Sequence, residues 1–326
     1  MVLTDKQIRE AVRGAVEIQE ENGFYSFFRF TTEQKTDFEN KRQFFYDRTY
    51  ASAGVRLHFT TNSRTLRFSY ALSRLTTEAT HAFDLFQNGE LTKHEVLPTN
   101  EDTHEISWTL GDGEKELILY FPWAVYTKIS APVLDDDASF APAPCGKTVF
   151  LFGDSITQGF CAAYPSGTYA MRLSRALGLH IINKGIGSER FRPEVLGHKD
   201  TIRPDAIVIA YGTNDWNSCT YETVQHDAGA FFARLKALYA GVPTVVITPI
   251  ARMDSDTKKP YGRPFSAIHD DIAALCADNP DIRVLRGEPL MPRDAANFVQ
   301  DGLHPNDEGF ARYAENLVPA LKKLLF

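Results

Sequence analysis

The chain has 326 residues, which is more than one small hydrophobic core usually needs and favours two domains. Its hydrophobic content of 43% and its charged content of 24% are ordinary for a soluble globular protein. The formal net charge of −7, with no basic cluster to offset it, argues against nucleic-acid binding, which needs a positively charged face.

The N-terminal segment is predicted to be an amphipathic helix rather than a leader peptide. Residues 4–21 carry many charges and lack a continuous apolar stretch. Thr4 and Gln7 fit a capping box, and Gly23 marks the helix end, so residues 1–23 form the first unit. Apolar runs elsewhere are far shorter than the roughly 20 residues that a membrane span requires. We therefore expect a cytoplasmic protein that does not contact membranes.

Residues 24–130 contain short runs in which apolar and polar side chains alternate, a pattern typical of strands with one buried face. The runs lie at residues 55–60, 66–70 and, less regularly, 116–121. Turn sequences rich in Asn, Asp and Gly separate them. Together they predict an antiparallel β-sandwich that serves as an accessory domain.

Residues 131–146 are interpreted as a solvated linker, because they hold three prolines and the acidic run 135–137. That run lacks the glycine and the later glutamate of an EF-hand calcium loop. The four cysteines form no Cys-x-x-Cys pair, and no His/Cys pair has zinc spacing. We predict reduced thiols, no metal site and no cofactor.

Residues 147–326 change to buried strands that alternate with helices, which predicts an α/β domain with a parallel sheet between helices. The predicted strands are residues 149–152, 181–183, 206–210, 244–248 and 283–285. The predicted helices are residues 167–177, 221–239, 265–276 and a last helix that begins at Asn306. Pro319 is expected to break or kink that last helix.

Four short motifs are distributed along this α/β region. They are residues 153–157 (GDSIT), 183–188 (NKGIGS), 212–215 (GTND) and 301–304 (DGLH). The first three follow predicted strands, and ligands of parallel α/β sheets bind beyond the carboxyl ends of the strands. No motif is specific alone, but the ordered set predicts one active site.

Three of the motif residues suit nucleophilic catalysis. Ser155 lies on a strand-to-helix turn, where its hydroxyl can project into a cleft, and a serine needs a base to act as nucleophile. His304 is the candidate base, and Asp301 could hold its imidazole tautomer. The alternative is a helix-capping serine beside an ordinary turn and a surface histidine.

Other motif residues could donate hydrogen bonds to an oxyanion. The side-chain amide of Asn214 follows a strand end, and backbone N–H groups near Gly187 and Ser188 follow another. The alternative for Asn214 is an Asx turn, and for the glycine-rich segment it is a flexible turn. Asp215 is interpreted as a loop cap.

These motifs resemble those of the SGNH hydrolase family, also called GDSL esterases, over residues 147–322. The resemblance implies a flavodoxin-like SGNH-hydrolase fold and a Ser155–His304–Asp301 triad. It also implies that the Ser155 N–H and the Asn214 side chain donate to the oxyanion.

One position departs from the family pattern. The family usually has its donor glycine five residues after the asparagine of the second motif, where this chain has Ser188, preceded by Gly187. A backbone N–H survives this replacement, so we expect the function to persist. Which of the two N–H groups donates is left open, as is the need for glycine at this turn.

The strand-rich N-terminal part, with residues 82–86, resembles the jelly-roll domains that precede the hydrolase domain in some carbohydrate esterases. The resemblance implies that this domain is a wall of the cleft or a sugar-binding accessory.

The predicted function is a serine esterase that hydrolyses short-chain esters, acetyl esters of oligosaccharides above all. Tyr164 and Trp216 are candidate substrate-binding aromatics, although Trp216 could equally be a core residue. Residues 249–264 form either a lid or a solvated loop. Two alternatives stay open: a lysophospholipase or thioesterase with the same triad, and a carbohydrate-binding protein whose triad is idle.

Overall fold

The structure is a computed structural model, which describes residues 1–40, 43–74 and 80–325. In chain order, the N-terminal half contains α1 (Asp5–Ala11), β1 (Val12–Arg13), β2 (Glu17–Glu21), β3 (Phe24–Phe28), α2 (Thr32–Glu39), α3 (Gln43–Tyr50), β4 (Arg56–Thr61), β5 (Thr65–Ser73), β6 (Ala82–Gln87), β7 (Glu90–Val96), β8 (Thr103–Thr109), β9 (Lys115–Tyr120), β10 (Tyr126–Ser130) and β11 (Ala141–Pro142). The C-terminal half contains β12 (Thr148–Gly153), α4 (Ser155–Gln158), α5 (Tyr169–Leu177), β13 (His180–Gly185), β14 (Ala206–Ala210), α6 (Thr213–Ser218), α7 (Tyr221–Tyr239), β15 (Thr244–Ile247), α8 (Phe265–Cys276), β16 (Ile282–Leu285) and α9 (Asp307–Leu325).

The N-terminal half is the predicted antiparallel β-sandwich. One sheet has the strand order β1-β4-β9-β6-β7, with β11 added beside β4, and the other has the order β2-β3-β10-β5-β8. Every second residue of β5 is buried, as the alternating sequence predicts. The buried faces of the two sheets share one apolar core, to which Leu57 and Phe59 contribute from the first sheet and Leu66 and Phe68 from the second.

The predicted N-terminal helix is wrong beyond its first two turns. The capping box at Thr4 is present, but the helix ends at Ala11. Asn22 and Gly23 have φ values of 54° and 79°, and they close a two-residue turn that pairs β2 with β3. Such a turn matches the twist of a hairpin, so strand pairing prevails over the helical pattern of residues 12–21. The N-terminal segment is therefore part of the sandwich.

The prediction that residues 24–130 are strands also misses two helices, α2 and α3. The sequence contained a signal for α2, because Thr31 and Gln34 form a complete capping box.

The predicted linker, residues 131–146, is not a free segment. The carboxylate of Asp135 accepts hydrogen bonds from the Arg64 N–H at 2.7 Å and the Thr65 hydroxyl at 2.6 Å, and β11 pairs with β4. Residues 131–146 thus lie against the sandwich.

The C-terminal half is the predicted parallel α/β fold. Its sheet has the strand order β13-β12-β14-β15-β16, and all neighbouring strands are parallel. Successive residues of β12 point to opposite faces: Val149 and Leu151 pack with α5 and α9, whereas Phe150 and Phe152 pack with α7 and α8. The last helix continues through Pro319 to Leu325, so of the two predicted outcomes, a break or a kink, the break is wrong. Among the described residues, no helix is long and apolar enough to span a bilayer.

Arg29, directly after β3, connects the two halves of the chain. Its side chain is fully buried, and its guanidinium donates to the Ala51 and Arg48 carbonyls at 2.6 and 2.8 Å within the sandwich part. It also donates to the carbonyls of Asn183 and Gly185 at 2.5 and 2.9 Å, at the carboxyl end of β13. Burial lowers the pKa of Arg29 to about 9, which leaves it charged at neutral pH.

Replacing Arg29 by Lys should destabilise the protein by about 3 kcal/mol, because one ammonium cannot reach four carbonyls and each buried acceptor left unpaired costs roughly 1–3 kcal/mol. Urea denaturation of Arg29→Lys and wild type would measure the free energy of unfolding. Arg67→Lys is the matched control, since Arg67 is exposed on β5. Equal effects of the two substitutions would contradict the role of Arg29 in joining the two halves.

Candidate functional site

Ser155 is the first residue of α4, directly after β12. Asp154 caps the helix, because its Oδ1 accepts a hydrogen bond from the Ile156 N–H at 2.9 Å. Ser155 is 8% exposed, so the residue is largely shielded from water. The strand-to-helix turn predicted for this motif is present.

Two glycines at the carboxyl ends of β12 and β13 allow α4 to lie close to the sheet. A Cβ at Gly153 would be 2.0 Å from the Thr157 hydroxyl oxygen, and a Cβ at Gly185 would be 2.5 Å from the Gln158 nitrogen. Asn183 adds a polar support, since its amide donates to the Thr157 carbonyl at 2.7 Å. The position of Ser155 therefore depends on small residues and on one amide of the neighbouring strand.

His304 and Asp301 lie on one loop, and His304 faces Ser155. The Ser155 Oγ is 2.8 Å from His304 Nε2, and His304 Nδ1 is 2.5 Å from Asp301 Oδ2. Asp301 Oδ1 also accepts from the N–H groups of Leu303 and His304 at 2.8 and 2.9 Å, which fixes the loop. Partial burial raises the pKa of this carboxyl, but the hydrogen bond with the His304 ring and these two N–H groups outweigh it and lower the pKa. The loop turns at Gly302, where φ is +65° and a Cβ would be 2.8 Å from the Met253 Cβ.

The oxyanion candidates lie in the segment that follows β13 and in the first turn of α6. Asn214 Nδ2 donates one of its two hydrogens to the Glu189 carbonyl at 3.0 Å, which leaves the second free to donate elsewhere. The Gly187 N–H donates to Gln158 Oε1 at 2.8 Å. The Ser188 N–H has no acceptor in the described part of the chain, and Ser188 has φ of +64°. Ser188 thus occupies the left-handed region that glycine would occupy more readily.

A cavity of about 580 Å³ opens beside these donors. Ser188 and Asn214 line it, and Phe45 of α3 adds a residue of the sandwich half to the lining. Arg192, also in the lining, forms an ion pair of 2.7 Å with the buried Glu189, and its guanidinium lies 4.9 Å from the Phe45 ring centroid. The sequence offered no signal for Phe45, because this contact depends on how the two halves pack.

The aromatic residues divide into one that can contact a ligand and one that cannot. Tyr164 is 37% exposed and packs on His94, a residue of the sandwich strand β7, with ring centroids 4.2 Å apart. Trp216 is 0% exposed, and its indole donates to the Arg263 carbonyl at 3.1 Å. The prediction that Trp216 binds substrate is therefore wrong, since its ring belongs to the core. Phe160, by contrast, lies 4.8 Å from the His304 ring.

The sandwich supports the loop that follows α4. Asp84 of β6 is completely buried, and its Oδ2 accepts from the N–H and the hydroxyl of Ser166 at 2.9 and 2.5 Å. Its Oδ1 lies 2.7 Å from His94 Nδ1. Trp123 donates its indole N–H to the Ala162 carbonyl at 2.9 Å. The segment of residues 82–86 therefore contacts the loop that carries Tyr164.

The segment 249–264 is packed rather than free. Arg252 is 4% exposed and donates to the Thr213 hydroxyl at 3.0 Å, and its guanidinium lies 5.0 Å from the Trp216 ring centroid. Met253 donates its N–H to the Gly302 carbonyl at 2.8 Å. The first half of this segment is therefore not a solvated loop, since it packs against the loop of His304. Its role as a lid stays a prediction.

Two carboxyl groups near Ser155, those of Asp154 and Asp215, are buried and have raised pKa values. Burial raises the pKa of Asp154 to about 7, and the neighbouring Asp215 raises it further, against the Ile156 N–H. Burial also raises the pKa of Asp215 to about 7, although its Oδ1 accepts from the Phe191 N–H at 3.1 Å. Within the described residues, no three His, Cys, Asp or Glu side chains are grouped to hold a metal ion.

The family model described as "GDSL-like Lipase/Acylhydrolase family" matches residues 151–312. No curated protein matches the chain. Among solved structures, the salicylyl-acyltransferase SsfX3 from a tetracycline biosynthetic pathway is similar, with a TM-score of 0.82 at 19% identity over 99% of this chain and 96% of that one. A GDSL-like lipase from Bacteroides ovatus ATCC 8483 has a TM-score of 0.78 at 23% identity over 98% and 96%. The acetyl xylan esterase Est2A from the rumen bacterium Butyrivibrio proteoclasticus has a TM-score of 0.66 at 14% identity over 98% and 96%. At these identities the likeness shows the fold.

The raised pKa of Asp154 predicts a pH-dependent stability. An unfolded aspartate titrates near pH 4 (about 3.9), so the folded chain binds a proton between about pH 4 and pH 7 that the unfolded chain lacks. The contribution of this group to the free energy of unfolding is therefore present at low pH and is lost as pH rises through about 7. Asp154→Asn keeps an acceptor for the Ile156 N–H but has no carboxyl to titrate. Relative to wild type, its free energy of unfolding should therefore be about 2 kcal/mol higher at pH 8 than at pH 5.

Urea denaturation at both pH values would measure this difference. Asp278→Asn is the control, because Asp278 is an exposed aspartate after α8. A difference between Asp154→Asn and wild type that stays constant with pH would contradict the buried, protonated carboxyl.

Proposed function

Since residues 151–312 belong to the GDSL-like lipase/acylhydrolase family, we propose that the protein is a serine esterase that works through Ser155, His304 and Asp301. The observation that carries the proposal is the continuous chain of short contacts from the Ser155 hydroxyl through the His304 ring to Asp301, of 2.8 and 2.5 Å. A helix-capping serine would not need an imidazole at hydrogen-bond distance. Nor would a surface histidine need a carboxylate on its second nitrogen.

In this mechanism His304 Nε2 takes the proton of Ser155 as the Oγ attacks the ester carbonyl. Asp301 keeps the Nδ1 hydrogen in place and stabilises the imidazolium that forms. The alcohol leaves with the proton from His304, and the acyl group stays on Ser155. Water, deprotonated by the same histidine, then attacks the acyl-enzyme and releases the acid.

Three donors are proposed for the oxyanion: the Ser155 N–H, the Ser188 N–H and Asn214 Nδ2. The Ser155 N–H is at the start of a helix, where backbone donors have no partner within the helix. The Ser188 N–H is favoured over that of Gly187, because Gln158 already accepts from Gly187. A serine at position 188 keeps the backbone N–H donor, although its backbone is in the left-handed region that serine adopts less readily than glycine.

We propose short-chain esters of carbohydrates, acetyl esters above all, as the substrates. Phe160 lies against the His304 ring, which limits the room for an acyl chain on that side, and the partly exposed Tyr164 offers a ring face on which a sugar could stack. Some of the proteins with similar structures are carbohydrate esterases. One is a family two carbohydrate esterase from Clostridium thermocellum in complex with cellohexaose, with a TM-score of 0.64 at 13% identity over 84% of this chain. The jelly-roll resemblance of the sandwich fits such a substrate.

Hydrolysis of p-nitrophenyl esters from acetate to decanoate tests this proposal. We expect the rate to be highest at acetate and to fall by about 10⁴-fold or more in Ser155→Ala, since the nucleophile is lost. Ser266→Ala is the control, because Ser266 is an exposed serine on α8. A maximum at long chains would favour the lysophospholipase or thioesterase alternative. Sugar binding without turnover, and without labelling by a fluorophosphonate, would favour the idle triad.

Asn214→Ala tests the oxyanion proposal. We expect kcat to fall by about 10²–10³-fold with little change in KM, because the amide interacts with charge that develops in the transition state. Asn316→Ala is a matched control, since each amide donates one hydrogen bond to a backbone carbonyl, that of Glu189 at 3.0 Å and that of Leu290 at 2.9 Å. Losses of similar size in both variants would mean that Asn214 acts through the fold alone.

A further inference from the structure

A second cavity, of about 300 Å³, lies where the sandwich meets the parallel-sheet half. His180, the first residue of β13, lies in its wall. The cavity therefore opens at the amino end of the sheet, whereas Ser155 follows the carboxyl end of β12. It is thus separate from the proposed active site.

Three arginines line this cavity: Arg13 and Arg56 from the sandwich and Arg175 from α5. Arg13 and Arg56 are 8% and 4% exposed. In the described part of the chain none of the three forms an ion pair with a carboxylate. Glu116, a carboxylate in the lining, lies 2.7 Å from His58 Nε2.

The partners of these guanidiniums are neutral. Arg56 donates to the Ser174 hydroxyl at 2.7 Å and to the Gly54 and Leu179 carbonyls at 3.0 and 3.3 Å. Arg175 donates to the Tyr120 hydroxyl at 3.1 Å. These contacts satisfy hydrogens but leave the positive charges without an anion.

Arg13 has an unsatisfied donor as well. Its terminal nitrogens donate to backbone carbonyls, including that of Glu10 at 2.7 Å and that of Ala143, but its Nε has no acceptor among the described residues. An unpaired buried donor on a charged group is costly, so a ligand that accepts from it would be stabilised.

The electrostatics of the cavity agree with an anion site. Burial, together with the charges of Arg56 and Arg13, lowers the pKa of His180 to about 3, so this ring is neutral at physiological pH. Its Nε2 accepts from the Gly14 N–H at 3.0 Å. The Glu116 carboxylate and the C-terminal end of α5, whose dipole is equivalent to about half a negative charge, offset only part of the three guanidiniums.

We propose that this cavity binds a phosphate-type oxyanion, either inorganic phosphate or the phosphate group of a small metabolite. Guanidinium forks match the tetrahedral oxygens of phosphate and form strong, charge-assisted hydrogen bonds with them. Because Arg13 and Arg56 come from one half of the chain and Arg175 from the other, the bound anion joins the two halves. It therefore stabilises the fold by mass action.

Isothermal titration and thermal unfolding of the 326-residue chain with inorganic phosphate test the proposal, with chloride added to keep the ionic strength constant. We expect phosphate to raise the Tm of wild type and of Ser155→Ala equally. Arg175→Gln should weaken phosphate binding by about tenfold or more, the effect of losing one charge-assisted partner. Arg172→Gln is the matched control, because Arg172 lies on the same helix and donates to the Gly167 carbonyl at 2.8 Å.

Two results would overturn the proposal. One is a Tm of wild type that phosphate raises no more than chloride does. The other is equal phosphate affinity in Arg175→Gln and Arg172→Gln, which would place binding elsewhere. A titration with glucose 6-phosphate distinguishes the sources of the group: tighter binding than inorganic phosphate identifies a phosphorylated metabolite, and weaker binding identifies the free ion.

Discussion

One buried guanidinium, that of Arg29, is the constraint on which the geometry of the molecule depends. It donates to carbonyls of the sandwich half and to those of Asn183 and Gly185 at the carboxyl end of β13. That strand end leads directly into Gly187 and Ser188. A charge so far from water is tolerated because several carbonyl dipoles surround it, and the same dipoles hold the chain in one place. Arg29 thus links the segment that carries the candidate oxyanion donors, in the parallel-sheet half, to the sandwich half.

The sandwich half therefore takes part in building the site rather than lying beside it. Its Asp84 holds the loop after α4 through Ser166, and its Phe45 lines the cavity next to Asn214. Rigid support from a second domain is a general way to keep catalytic groups within the narrow distances that proton transfer requires.

Polar groups beneath the site carry a cost in stability. Asp154 and Asp215 are buried near each other with raised pKa values, and the charge of Arg252 lowers the pKa of Asp154 only in part. Burial of such groups is destabilising unless they are protonated or paired. Here they cap α4 and hold the loop of Phe191, so the cost is linked to the placement of Ser155 and of the neighbouring donors.

The sequence by itself determined the elements whose signals are local. The alternation of buried strands and helices in residues 147–326, the helix bounds Tyr221–Tyr239 and Phe265–Cys276, and the four motifs follow from periodicity, capping and order along the chain. Only the tertiary structure decided the rest. Trp216 became a core residue, the helix of residues 4–21 gave way to strand pairing, and Phe45 reached the cavity, because each outcome depends on contacts between distant segments that no local pattern encodes.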